Sequence, residues 1–198
     1  GVDAIIVGPG WAKACADIYG GKCGLILRVT GGVSRYSKDA LGHTLITSVE
    51  EAVALGADAV MNMVFIGDPN YEHIQLEQMG ELSWQCHKYG MVLFPELLHV
   101  NFEDQSDPDW IDACMRAGFE YGADAVKVLY ARDRFPQIIQ TCPVPVVMAG
   151  GPKNGALQQM VEETIRAGGR GCAIGRNVYG AENPAEVIRM LRKTVHGA

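Results

Sequence analysis

One phrase recurs three times along this chain: GVDAIIV opens it, GADAVMN begins at Gly56 and GADAVKV begins at Gly122. Each copy runs from a glycine through an aspartate into small and β-branched apolar residues, the composition of a strand buried on both faces. Amphipathic stretches fill the intervals, such as the stripe Leu157, Met160, Val161, Ile165 and the closing stripe Val187, Ile188, Leu191, Val195. Gly56, Gly90 and Gly122 each stand between a helix end and a new strand, where a left-handed stop belongs. Ser48, followed by Glu50 and Glu51, reads as a helix start. Strand–helix alternation with near-continuous apolar strands means a parallel sheet covered by helices. An open doubly wound sheet and a closed barrel both satisfy that pattern, and the repeated phrase favours a barrel of quasi-equivalent units.

Seven strands are readable, at 3–9, 23–31, 57–67, 90–97, 123–130, 144–151 and 171–179. A TIM (βα)8 barrel has eight and is about 250 residues long. The expectation is therefore one α/β barrel domain over residues 1–198 that lacks its first βα unit.

The bulk properties narrow the function. With 198 residues and 48% hydrophobic content the chain can bury a substantial core. A formal charge of −6 argues against nucleic acid or an acidic membrane as partner, but not against a small anion held by a few local cations. The six cysteines are scattered with no CxxC or Cys/His metal spacing, which predicts reduced thiols and no metal site. No apolar run reaches the ~18 residues of a membrane span. No signal sequence precedes the first strand, so a cytoplasmic location is expected.

The sixth place of the repeated phrase holds Ile6, then Met61, then Lys127. Strand alternation puts Lys127 on the same face as Leu129 and the small residue Ala125, and the expectation is that this face lies inside the barrel. An unpaired ammonium there costs several kcal/mol or sheds its proton. The neutral amine is a nucleophile toward a carbonyl, as Schiff-base chemistry requires. Arg28, at a matching place in LILRVTG, would favour the neutral amine if it too faces inward. The other reading is a structural lysine that pairs with Asp124 or Glu96, and the lysine alone leaves both open.

The next two strands bear on that choice. VPVVMAGGPK ends in Gly150 and Gly151, and GCAIGRNVY carries Gly175, Arg176 and Asn177. Glycines at strand ends let backbone N–H groups close on an anion, and barrels commonly bind phosphate after their last two strands. Arg176 would add a charge-assisted contact, with Lys153 as a looser candidate. For the proton transfers, Glu96 and His99 are the candidates at strand ends. Asn62 and Asn177 are candidates to orient substrate oxygens. Tyr130 reads as packing. His43 either covers the site or plays no part in it.

ADAVKVLY, VVMAGGPK and GCAIGRNVY, with LILRVTGG and TSVEEAVALGADAV, resemble the archaeal-type class I fructose-bisphosphate aldolase family. That broader group includes deoxyribose-phosphate aldolase, aminodideoxyheptulosonate synthase and the thiolase that processes phosphorylated autoinducer-2. The resemblance runs in order over nearly the whole chain. It implies a TIM barrel in which Lys127 forms the Schiff base with a ketose phosphate held by Gly150, Gly151, Gly175 and Arg176, with no cofactor. It also implies a homo-oligomer. Two features depart from the family pattern. The first strand, which carries an aspartate near the lysine, is missing, and the acid/base tyrosine before a proline is here Phe94-Pro95. The expected function is a class I aldolase or C–C lyase on a phosphorylated sugar or ketose. The alternatives are thiolase-like acyl transfer on a phosphorylated diketone and a sugar-phosphate-binding pseudoenzyme.

Overall fold

The computed structural model describes residues 1–34, 36–150 and 156–197. Its strands are β1 (Ala4–Val7), β2 (Gly24–Arg28), β3 (Thr30–Gly31), β4 (Thr44–Leu45), β5 (Ala59–Met61) and β6 (Met63–Ile66). β7 (Val92–Leu93), β8 (Glu96–His99), β9 (Val126–Val128), β10 (Val146–Ala149) and β11 (Gly171–Ala173) follow. Parallel ladders run in the orders β1-β2-β5-β7 and β6-β8-β9-β10-β11. Only Asn62 separates β5 from β6, and only Phe94 and Pro95 separate β7 from β8. The two ladders are therefore one parallel sheet of seven staves in chain order. β3 and β4 form an antiparallel hairpin beyond the end of β2.

The helices are α1 (Pro9–Ala14), α2 (Ala16–Tyr19), α3 (Val49–Ala54), α4 (Glu72–Tyr89) and α5 (Pro108–Glu120). α6 (Phe135–Thr141), α7 (Leu157–Arg166), α8 (Arg176–Tyr179) and α9 (Pro184–His196) complete the set. No helix among the described residues is long and apolar enough to cross a membrane. The local signals act as expected. The Ser48 hydroxyl caps α3 by accepting from Glu51 N at 3.1 Å, and Gly90 ends α4 at φ +66°, where a side chain would be strained. All six cysteines are free thiols. α9 returns to the first stave, where His196 Nε2 lies 3.1 Å from Asp3 Oδ2 and Arg192 Nη1 lies 3.2 Å from Gly1 O. The observed strands are shorter than their readings, and the last expected one runs into a helix. After Ala173 the GCAIGRNVY segment leaves the sheet, and Val178 N and Tyr179 N both turn back to Gly175 O, closing the turn of α8.

The aspartate of the repeated phrase has a specific use. Asp58 Oδ2 accepts Leu25 N at 2.8 Å while its own N–H donates to Leu25 O. Asp124 does the same with Leu93, accepting its N–H at 2.8 Å. Each carboxylate thus clamps the start of its stave to the one before. Because Asp124 is engaged in this clamp, it is not the partner of Lys127. Asp124→Ala should lower unfolding free energy by about 1.5–3 kcal/mol, the worth of a hydrogen bond to a charged acceptor, in urea titration.

Side-chain direction along the staves can be read from their contacts. A Cβ placed on Gly118 of α5 would meet Val126 Cγ1 at 2.6 Å and Leu97 Cδ1 at 2.9 Å, so Val126 and Leu97 face the helices. Leu25, Leu27, Val60, Val64, Leu93 and Met148 belong to the same sheet–helix core. Met61, Phe65, Phe94 and Ala149 are buried as well but stand outside that cluster, on the inner face. Alternation then directs Arg28, Glu96 and Lys127 inward.

Candidate active site

Lys127 is inward-facing and 9% exposed. Its Nζ lies 2.8 Å from Glu96 Oε1, on the neighbouring stave in direct register. The pairing follows from the fold: Glu96 and Lys127 occupy one row of the sheet, with Met63 on one side and Val147 on the other. An ion pair this enclosed is worth little in net stability, because desolvation of both charges offsets their attraction. It does hold a carboxylate within proton-transfer distance of the amine.

Arg28 also faces inward, yet its resolved partner is His43, not the lysine. Arg28 Nη2 lies 3.2 Å from His43 Nδ1. His43 immediately precedes β4, so the β3–β4 hairpin carries it back to the barrel interior. Its ring stands 5.3 Å from that of Phe65. Burial and the Arg28 guanidinium hold the His43 pKa below the usual imidazole value, against an opposing pull from Glu96. One cluster therefore gathers Arg28, His43, Glu96 and Lys127.

His99 does not join it. It shares the parity of Leu97, faces away from the interior, is 1% exposed and stacks on Trp110 at 5.6 Å. Burial depresses its pKa, with the Gln105 backbone and the Asp107 and Asp104 carboxylates opposing. Of the two proton-transfer candidates, only Glu96 is beside the amine. Asn62 also turns outward: Val60↔Leu93 and Val64↔Leu97 keep the same register on either side of it, so no inserted residue reverses its parity. Tyr130 donates to Glu163 and packs edge-on to Phe135, the structural role expected of it. Phe94, inward and buried, lies one inward place before Glu96 on the same stave.

The glycine-bearing loops meet at the C-terminal ends of β10 and β11, which pair through Ala149↔Ala173. Gly150 sits against Ile174, whose Cδ1 would be 3.6 Å from a Cβ built there. Gly175 leads into α8, where Arg176 is exposed and Asn177 half-buried. Gly151 and Lys153 lie outside the described residues. Lys127 is in register with Val147, three residues before Gly150, which sets the loops about 10 Å further along the sheet. That is the scale of a short phosphorylated ketone.

The buried lysine stands out in the sequence by its place in the repeated phrase. In the sequence His43 reads equally as a cover for the site or a bystander, because nothing local joins it to Arg28. Only the antiparallel turn of the hairpin does so.

A parallel α/β barrel with a lysine–carboxylate pair inside and glycine loops at the ends of its last staves is the layout of a lysine-dependent aldolase. The chain belongs to the DeoC/LacD family of aldolases, whose model matches residues 1–181. It is 35% identical over 198 residues to 2-amino-3,7-dideoxy-D-threo-hept-6-ulosonate synthase 1 of Archaeoglobus fulgidus, covering 99% of this chain and 75% of that protein. Among solved structures it superposes on an archaeal fructose 1,6-bisphosphate aldolase with a TM-score of 0.88 at 29% identity, over 99% of this chain and 79% of that one. Another solved structure, of an archaeal fructose-1,6-bisphosphate aldolase with the catalytic lysine covalently bound to the carbinolamine intermediate of the substrate, matches with a TM-score of 0.87 at 28% identity. It is covered over 78% of its length, against 98% of this chain.

Proposed function

We propose that this chain makes or breaks a carbon–carbon bond in a phosphorylated ketose or related ketone through an imine on Lys127. The observation that carries the reading is the 2.8 Å pair between Lys127 Nζ and Glu96 Oε1 on the inner face of the barrel. The amine adds to the substrate carbonyl to give a carbinolamine, and loss of water gives the iminium. Glu96 supplies the proton that leaves with that water. As carboxylate, Glu96 then removes the proton from the adjacent carbon, leaving an enamine. The iminium is the electron sink for C–C cleavage, and the enamine is the nucleophile for condensation. Gly150, Gly175 and Arg176 hold the phosphate, with Asn177 beside them and Gly151 and Lys153, next in sequence after Gly150, as further candidates.

Phe94 favours a condensing or cleaving reaction that does not depend on a phenol at that position, since a phenyl ring carries no exchangeable proton. Proton transfer then falls to Glu96. The test is reduction with borohydride in the presence of dihydroxyacetone phosphate and a panel of phosphorylated ketoses and diketones, followed by peptide mapping. Label on the peptide containing Lys127 is the expected result. Label on a different lysine overturns the reading. Calorimetric binding of the same compounds without any imine favours a binding protein instead.

A further inference from the structure

His43 is the group in this cluster that neither the lysine chemistry nor the glycine loops use. Its Nδ1 lies 3.2 Å from Arg28 Nη2. A guanidinium has donors only, so Nδ1 must be the acceptor and the ring proton must sit on Nε2. Burial and the same arginine lower its pKa, against a smaller opposing pull from Glu96, and so favour the neutral ring. The ring edge bearing Nε2 lies over Gly32, where even a Cβ would come within 2.5 Å of that nitrogen. The Phe65 ring flanks it at 5.3 Å. The imidazole is thus fixed in place and in tautomer, and its Nε2–H has no hydrogen-bond partner among the described residues. Arg28 Nε is likewise buried without a partner. Two polar N–H groups at the mouth of a barrel, one of them wholly buried and both unpaired, are waiting for an oxygen.

We propose that His43 is a neutral hydrogen-bond donor to the oxygen on the carbon where the C–C bond forms or breaks. The proposal rests on the Schiff-base reading of Lys127. In the condensing direction the enamine carbon forms a bond to the aldehyde carbon, and the enamine nitrogen becomes an iminium. The aldehyde π pair moves onto its oxygen, which Nε2–H stabilises as an alkoxide. That alkoxide takes the proton Glu96 removed when the enamine formed, and water then hydrolyses the iminium, releasing Lys127. His43 neither gains nor loses a proton in the cycle. A fixed neutral imidazole acts here as an electrophile, aimed where negative charge develops.

The test separates imine chemistry from bond formation. With dihydroxyacetone phosphate, borohydride trapping reports the imine, and exchange of its α-proton in D2O, followed by proton NMR, reports the enamine. Condensation is then measured with glyceraldehyde 3-phosphate and with acetaldehyde. His43→Ala should leave trapping and exchange within about 3-fold of wild type while condensation falls about 10²- to 10³-fold, the cost of removing one such donor. His43→Gln, which returns an N–H near the position of Nε2, should recover at least about tenfold of that loss. Unchanged condensation in His43→Ala overturns the proposal. So does an equal fall in exchange and condensation, or a glutamine variant no better than alanine, because both mark a structural role. Wild-type protein that exchanges but condenses with neither aldehyde also overturns it, since no carbonyl oxygen is then served. Failure of wild-type trapping is a different result: it removes the Schiff-base reading first, and this inference with it.

Discussion

Lys127→Arg should abolish imine trapping and lower turnover by on the order of 10⁴- to 10⁶-fold, the range seen when a covalent nucleophile is removed, while leaving the protein folded. Arginine keeps a positive charge opposite Glu96, so the interior pair survives, but a guanidinium does not form a stable imine. Lys127→Met is the contrasting variant. It also loses trapping, and it leaves the Glu96 carboxylate alone in an enclosed site, a change that costs about 3 kcal/mol or more. Urea unfolding of the two variants separates the structural worth of the pair from its chemistry. Wild-type turnover in Lys127→Arg would mean that the Lys127–Glu96 contact is only a bridge. The distance makes that test pointed, because the same 2.8 Å pair is what either role would show.

Glu96→Gln should lower turnover by about 10²- to 10⁴-fold, the usual contribution of a positioned general acid–base group. Glutamine fills the same volume and still accepts a hydrogen bond from the ammonium, so large loss of stability is not expected. What it cannot do is take a proton and return it. Trapping on Lys127 should therefore persist but rise more slowly with time, and α-proton exchange should fall in parallel with turnover. If exchange and turnover in Glu96→Gln match the wild type, the proton carrier lies elsewhere. His99→Gln is the matching control, since that ring faces the helices and stacks on Trp110. It should leave trapping, exchange and turnover within about twofold, its effect being confined to packing.

Much of the architecture follows from short-range pattern. The repeated phrase, the helix stripes and the glycine stops are local signals, and each reports a conformation set by neighbours within a few residues. They located seven staves and the lysine. They also located Gly150, Gly175 and Arg176 at the ends of adjacent staves, because chain order and sheet order coincide. The local signals misread GCAIGRNVY, whose apolar residues continue past the strand into α8, where Val178 N and Tyr179 N turn back to Gly175 O.

The site itself was less legible, for a reason visible in Glu96 and His99. They are three residues apart, so they point to opposite faces of the sheet, and which face is the interior depends on Leu97 meeting Gly118 of a distant helix. Asn62 was ambiguous in the same way. The sequence alone determined a parallel sheet of seven staves in a helical coat, an amine at residue 127 within one of them, and glycines beyond the ends of the last two. All of these depend on periodicity and on residue type. Tertiary structure alone decided that Glu96 faces that amine, that Asp124 is occupied by Leu93, and that Arg28 orients His43. Those contacts join residues 15 to 31 positions apart in the chain. Their geometry comes from register between staves and from the turn of the hairpin, which no local run of residues encodes.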